Sequence, residues 1–197
     1  LGVGDDLPVV RGDVDVVGDA PRTLPAREII VATGSAARSV PGIAIDRRQI
    51  ITSDQAIALA RVPESIGILG AGAVGVEFAS IFHRFGSRVV LIEALPAIVP
   101  GEDAAVSAEL LKQFRKRGID VRTASTVFSA ESGDAGVSID IRNAQGAVET
   151  LTVETLLVAT GRGPVTDGLG ASAVGLALDE RGYVRVDYLY RTNVPAV

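Results

Sequence analysis

The 197-residue sequence predicts an α/β fold built on a parallel sheet, and three observations carry that reading. Ser65–Glu93 reads as strand, glycine turn, helix and strand. A second helical pattern near 102–117 leads into another short apolar strand at Ile119–Arg122. Three alternating runs then follow, Thr126–Ala130, Val137–Arg142 and Ala147–Val153, separated by glycine- and asparagine-containing turns, which is the pattern of an antiparallel meander.

The first of these units organises the rest. Ile66, Ile68 and Leu69 supply the apolar strand, and Gly70-Ala71-Gly72-Ala73-Val74-Gly75 fills the pattern G-x-G-x-x-G. Val74, Phe78, Ile81, Phe82 and Phe85 recur at helical spacing, Gly86 stops the helix, and Arg88–Ile92 forms the next strand. Each glycine has a physical task in holding a dinucleotide. Gly70 lets the chain turn sharply, Gly72 lets backbone approach a pyrophosphate, and Gly75 lets helix and strand pack closely. The helix start offers unpaired N–H groups and the positive end of its dipole. Glu93 stands 18 residues past Gly75, where a carboxylate can accept bonds from the adenosine ribose. These features together predict a Rossmann-like, three-layer NAD-binding domain.

Glu93 also selects the nucleotide. Ala94-Leu95-Pro96-Ala97-Ile98-Val99 follows it with no Lys or Arg to hold a 2′-phosphate. A carboxylate about 4 Å from a phosphate repels it by roughly 1–4 kcal/mol, depending on screening. NAD rather than NADP is the expectation. Glu77 has two readings, a first-turn acid favoured by the helix dipole or a group facing the nicotinamide side of the site.

Around this unit the chain reads in order. Pro8–Val17 gives two short strands about Gly12, and Arg22–Leu24 gives another. Glu28–Gly34, EIIVATG, reads as a buried strand. Ser53 or Asp54 caps a helix running to about Ala60 and ended by Pro63. Pro96–Gly101 is a loop, and the helix from about Glu102 to Arg117 carries an apolar stripe of Val106, Leu110, Leu111 and Phe114, stopped by Gly118. Thr155–Gly161, TLLVATG, echoes residues 28–34. Two strands ending in Ala-Thr-Gly thus bracket the dinucleotide unit, as if the chain leaves one domain after the first and returns after the second. Residues 162–197 resume the Gly- and Pro-punctuated pattern, with short strands near Tyr183–Val186.

Composition narrows the partners. The apolar fraction of 47% marks a globular chain, and a net charge of −5 gives no reason to expect nucleic acid or an anionic membrane. No apolar run has the length of a membrane span and no signal-peptide pattern opens the chain, so a cytoplasmic location is expected. With no cysteine there are neither disulfides nor thiolate metal sites. The chain begins at Leu1 and contains no Met, and Val194–Val197 is apolar, so a piece of a longer protein is expected. His83, the only histidine, has no patterned carboxylate beside it and reads as a surface residue, and no G-x-S-x-G elbow occurs. No catalytic and no metal-ligating residue is assigned.

Longer stretches carry a resemblance. IIVATGS at 29–35, PGIAID at 41–46, TSDQAIAL at 52–59, VPESIGILGAGAVGVEFASIF at 62–82, LPAIVPGED at 95–103, FRKRGI at 114–119, LLVATGRGPV at 156–165 and YRTNVP at 190–195 together resemble dihydrolipoamide dehydrogenase, a flavoprotein disulfide oxidoreductase. The resemblance implies a FAD- and NAD-dependent, homodimeric parent enzyme that reoxidises dihydrolipoamide on the lipoyl domain of a 2-oxo-acid dehydrogenase or glycine-cleavage complex. It implies an FAD-domain segment at 1–46, an inserted NAD-binding domain at 47–160 and an FAD-domain return segment at 161–197. NAD would contact Gly70, Ala71, Gly72, Ala73, Val74, Gly75, Val76, Glu77, Glu93, Val127 at the adenine, and Gly161. FAD would touch Thr33, Gly34 and Ser35, with Val14 near its adenine by main-chain contact.

The family's N-terminal FAD fingerprint, redox cysteine pair, final Gly-Asp flavin motif and C-terminal His-Glu base are absent here. Gly163-Pro164-Val165 also departs from the family's usual sequence after Gly-Arg. The chain alone is therefore expected to be inactive. Two alternatives stand beside this reading. One is another flavoprotein disulfide reductase or a transhydrogenase, of the mercuric or glutathione reductase kind. The other is a non-catalytic NAD-sensing domain.

Overall fold

The computed structural model describes residues 12–16 and 20–197. They divide into two compact units, one of residues 37–162 and one that includes the described residues up to Ala36 and Gly163–Val197. These compact units part at 36/37 and 162/163, near the expected domain boundaries at 46/47 and 160/161. The reason is packing: Ile43 is buried and bridges to Ala130, which binds the segment after Ala37 to the central unit.

The central unit is built on a five-stranded, all-parallel sheet. Its strands are β4 (Ile50–Ile51), β5 (Ser65–Leu69), β6 (Arg88–Ile92), β7 (Asp120–Arg122) and β11 (Thr155–Val158), in the order β4-β11-β5-β6-β7. Every residue of β5 and of β11 is buried, as a parallel strand covered on both faces requires. Alternate side chains divide between two apolar layers. Ile66, Ile68, Val89, Leu91 and Leu157 face the layer shared with α2 (Ala73–Arg84) and α3 (Ala104–Arg117). Leu69, Val90, Ile92, Leu156 and Val158 face the antiparallel meander. That meander consists of β8 (Thr126–Gly133), β9 (Gly136–Arg142) and β10 (Val148–Val153), and it supplies Val127, Val137, Ile139, Ile141 and Val153 to the second layer. The three-layer α/β arrangement with an antiparallel meander is the one the sequence predicts.

Both long helices follow their apolar stripes in part: Phe78 and Phe82 on α2, and Leu110, Leu111 and Phe114 on α3, pack into the core. On α2 the residues turned inward are Gly75, Val76, Ala79 and Phe82, whereas Val74 and Ile81 are exposed and Phe85 is 66% exposed. The helix lies too close to the sheet for a row of large side chains. A Cβ on Gly75 would stand 1.8 Å from the Gly70 carbonyl oxygen, and one on Gly70 would stand 2.6 Å from the carbonyl oxygen of Ala159. On α3, Phe114 is buried but Val106 is 54% exposed. Ser107 takes the inward place and its hydroxyl donates to the Ile98 carbonyl at 2.6 Å. Asp103 caps this helix through the Ala105 N–H, and Gly118 ends it in the left-handed region at φ 93°.

The short helix α1 (Ser53–Ala56) is capped by Thr52, not by Ser53 or Asp54, and it ends well before Ala60. Thr52 and Gln55 form a capping box, a pattern that favours the residue three positions before a Gln. Just beyond, Glu154 fastens the turn between β10 and β11 to the start of β5. Its carboxylate accepts the Glu64 N–H at 2.8 Å and pairs with Arg61, while its own N–H donates to the Ser65 hydroxyl at 3.0 Å. The bond from the Glu64 amide, helped by Arg61 against a small cost of burial, holds this carboxyl below the usual glutamate range.

In the other unit, β1 (Gly12–Val16) and β2 (Arg22–Ala26) pair as an antiparallel hairpin, with Val14 opposite Leu24. The further strand read from Pro8 onward falls on residues outside those described. The chain passes from one unit to the other within β3 (Ser35–Ala37) and returns within β12 (Arg162–Pro164). The expected buried strand Glu28–Gly34 does not form, and Ile30 is 91% exposed. A strand needs neighbours on its edges. Here the Ile29 N–H donates only to the Ala196 carbonyl at 2.7 Å, and among the described residues no ladder flanks the segment. Near Tyr183–Val186 a single bridge between Leu178 and Val184 replaces the expected short strands. Among the described residues no helix is long and apolar enough to cross a membrane.

Two predictions follow from these contacts. Gly75→Ala, which drives a methyl group into the Gly70 carbonyl, should cost about 1–3 kcal/mol or more and lower the melting temperature by roughly 5 °C. Gly72→Ala, where no atom lies within 4 Å of the added Cβ, should cost only alanine's poorer N-cap preference, below about 1 kcal/mol or roughly 2–3 °C. Calorimetric melting of both variants distinguishes them. Glu154→Gln should lower the melting temperature by ~2–4 °C at pH 7. Because the folded carboxyl titrates below its unfolded value, its stabilisation is complete above the unfolded pKa and is lost as pH falls through the folded one. The gap between wild type and variant should therefore close in melts run below about pH 4.

Candidate functional site

At the C-terminal ends of the parallel strands the sheet order reverses between β11 and β5: the chain runs outward from β5 to β6 and β7 on one side, and β11 lies on the other. Open α/β sheets leave a crevice at such a switch point. The glycine turn 70–75 occupies it here. Gly70, at φ 99°, turns the chain out of β5, and its N–H donates to the Ile92 carbonyl at 2.8 Å. Gly72 is the N-cap of α2 and provides no side-chain cap. The N–H groups of the first turn of a helix have no intrahelical acceptor, so those of Gly72, Ala73 and Val74 are open to whatever stands at its mouth. Ala73 and Val74 are exposed, and no atom lies within 4 Å of where a Gly72 Cβ would be. The three glycines thus differ: Gly70 and Gly75 are closed in by backbone, and Gly72 faces open space.

Glu93 sits directly after β6, on the glycine turn. It is 8% exposed, and its two oxygens take different partners: Oε2 accepts the Ala71 N–H at 2.7 Å and Oε1 the Leu95 N–H at 2.9 Å. Its own backbone is fixed by bonds to Arg122 and Ser125 at 2.9 Å each. A carboxylate beside an uncapped helix start supplies acceptors at one edge of the crevice and leaves donors at the other. That division suits a ligand with sugar hydroxyls and a diphosphate.

The other residues singled out by sequence lie as follows. Val74 and Gly161 come together on one small cleft of about 30 Å³, which Ser53, Val158, Ala159 and Arg162 also line. Gly161 has φ 121° and its carbonyl accepts the Arg38 N–H at 3.0 Å. Val76 is buried beneath α2, and Glu77 is exposed one turn into it. The Val127 side chain is 5% exposed and packed in the meander layer, so only its main chain is available to a ligand. In the other unit Thr33 and Gly34 line a cavity of about 1230 Å³ together with Ile30, Val186, Leu189 and Tyr190. Gly34 has φ 75°, and its carbonyl accepts the Val165 N–H at 3.1 Å. Ser35 opens β3, and Val14 stands on the β1–β2 hairpin.

One part of the site has no side-chain chemistry to announce its contact, although LPAIVPGED at 95–103 is among the stretches that carry the resemblance. The segment read only as a loop, 96–101, carries a buried Ile98 and Val99, and the Val99 N–H donates to the Ala71 carbonyl at 2.7 Å. Within that stretch, two adjacent apolar residues between prolines are the local signal for this contact.

Comparison with known proteins gives the chain its family. A family model described as pyridine nucleotide-disulphide oxidoreductase matches residues 8–197. A dihydrolipoyl dehydrogenase of Cupriavidus necator is 39% identical over 184 residues, covering 93% of this chain and 38% of that protein. One of Chlorobaculum tepidum is 41% identical over 176 residues, covering 89% and 37%. The chain therefore spans little more than a third of the curated relatives it matches. Among solved structures, LpdA of Mycobacterium tuberculosis superimposes with a TM-score of 0.86 at 25% identity, covering 98% of this chain and 42% of that one. The HOCl-induced flavoprotein disulfide reductase RclA of Escherichia coli, as its Cu(II) complex, gives 0.82 at 28% identity, covering 93% and 41%. With a match to that family model over nearly its whole length, the chain belongs to the pyridine nucleotide-disulphide oxidoreductase family.

Proposed function

We propose that the chain is the NAD-binding region of a dihydrolipoamide dehydrogenase, and that it positions the nicotinamide ring against FAD for hydride transfer during dihydrolipoamide reoxidation. The observation that carries this reading is the uncapped start of α2 at Gly72, open to solvent, with the Glu93 carboxylate at its side. The N–H groups of Gly72, Ala73 and Val74 hold the diphosphate, aided by the helix dipole. Glu93 accepts from the adenosine ribose with the lone pairs its two N–H partners leave free. Gly70 and Gly75 shape the turn without touching the nucleotide by side chain. Val127 reaches the adenine through its main chain, and Gly161 and Glu77 border the nicotinamide end.

FAD is assigned to the other unit, against Thr33, Gly34 and Ser35 beside the large cavity, with Val14 toward its adenine. The cavity walls mix apolar residues such as Ile30, Val186 and Leu189 with polar ones such as Arg27, Glu28 and Arg191, which suits a ring system carrying polar groups. Bound together, the two cofactors supply hydride transfer. This chain contains no cysteine, so the dithiol chemistry, the meeting with a lipoyl domain, homodimer formation and the cytoplasmic setting all belong to the longer polypeptide in this proposal.

Isothermal titration of the 197-residue chain tests the reading. NAD should bind and NADP should bind at least tenfold more weakly, since the 2′-phosphate meets Glu93 and no Lys or Arg follows between 94 and 99. Equal affinity for the two would remove the assignment of Glu93 to the ribose. Gly72→Val fills the open space at the helix mouth and should abolish NAD binding with little change in melting temperature. Undiminished affinity in that variant would place the nucleotide elsewhere.

A further inference from the structure

The segment that follows β6 does more than supply an acid. It takes hold of the glycine turn at two consecutive peptide groups. Glu93 Oε2 receives the Ala71 N–H at 2.7 Å, and the Val99 N–H donates to the Ala71 carbonyl at 2.7 Å. In a planar trans peptide the N–H and C=O point in opposite directions. Fixing the Ala71 N–H toward Glu93 therefore aims the Gly70 carbonyl the other way, onto Gly75, where there is no room for a Cβ. Fixing the Ala71 carbonyl toward Val99 aims the Gly72 N–H away from Val99, on the far side of the same peptide plane.

The holding segment is itself anchored. Leu95 N–H binds Glu93 Oε1 at 2.9 Å, the Leu95 carbonyl accepts the Ala124 N–H at 2.8 Å, and the Ile98 carbonyl accepts the buried Ser107 hydroxyl at 2.6 Å. Val99 is kept at φ 40°, a region that β-branched residues avoid, so the surrounding contacts over-determine it.

We infer that Glu93 is a positioning residue as well as a ribose acceptor, and that with the Val99 amide it clamps the Ala71 peptides so that the diphosphate-binding N–H groups are set before nucleotide arrives. This inference rests on the NAD reading above. A glutamine cannot replace Glu93 in the clamp. Its single carbonyl oxygen can serve only one of the two N–H donors, and its NH₂ group faces the other.

Single-residue amide exchange by nuclear magnetic resonance on the nucleotide-free 197-residue chain tests the clamp without any variant. The Ala71 amide should be protected like those of β5, and the Gly72 and Ala73 amides should exchange rapidly. Fast exchange at Ala71 would overturn the inference. Glu93→Gln should then speed exchange at Ala71 by roughly tenfold or more, the scale of one charge-assisted hydrogen bond, and leave β9 unchanged. NAD affinity by titration should fall by a similar factor, with Glu93→Asp between the two. Weaker NAD binding with unaltered Ala71 exchange in Glu93→Gln would overturn the positioning role and leave a direct ribose contact. Failure of the wild-type chain to bind NAD at all would overturn the nucleotide reading, whereas exchange at Ala71 still reports the clamp.

Discussion

The contact on which the rest of the unit depends is backbone against backbone. Gly75 lies on the Gly70 carbonyl and Gly70 lies on the Ala159 carbonyl, with no side chain between them. This brings α2, the end of β5 and the end of β11 to one point. It also decides which face of α2 is buried, because a helix held so close can turn only Gly75, Ala79 and a few neighbours toward the sheet. The large apolar residues are pushed to the flanks. Phe78 and Phe82, stacked with centroids 6.0 Å apart, fill the gap that opens further along the helix.

Close packing alone does not make a binding site. What turns the crevice toward a diphosphate is that the helix begins at a residue with no side chain to cap it. At α1 and α3, Thr52 and Asp103 satisfy first-turn N–H groups from within the chain. At α2 the equivalent groups remain open, and the nearby carboxylate of Glu93 is turned to Ala71 and Leu95 instead. The same fold thus caps two helices and leaves uncapped the one at the switch point of the sheet.

Much of this was legible in the sequence because each signal was local. G-x-G-x-x-G, the strand before it, the helix after it and Glu93 are set by spacing, and the meander announced itself by alternation and turn residues. What misled was context. EIIVATG and TLLVATG are nearly the same string, yet Thr155–Val158 forms a buried central strand and Glu28–Gly34 forms none. The first has β4 and β5 on its two edges, and among the described residues the second has no ladder beside it. Apolar composition says that a segment prefers burial, not that a partner is present to bury it. The stripes on α2 and α3 held in part, through Phe78, Phe82, Leu110, Leu111 and Phe114, and missed at Val74, Ile81, Phe85 and Val106. Periodicity counts large apolar side chains, but the distance to the sheet favours small ones, and Ser107 could move inward because the Ile98 carbonyl was there to accept its hydroxyl.

The 94–99 segment extends this point to function. A stretch of alanine, leucine, proline, isoleucine and valine holds no charged group and matches no binding pattern, and yet it fixes one side of the turn that the pattern describes. Its work is done by main-chain groups: the Leu95 N–H steadies Glu93, and the Val99 N–H takes the Ala71 carbonyl. Glycine spacing marks the main-chain donors at the start of α2, but the Leu95 and Val99 amides have no such residue pattern around them. They can be recognised only by asking where each buried peptide group in the neighbourhood of a motif is satisfied. Here the answer is that burying Ile98 and Val99 supplies the free energy that holds Val99 at an unfavourable φ, and that φ delivers the amide. Apolar side chains in a loop thereby set the direction of a polar group in the turn beside it.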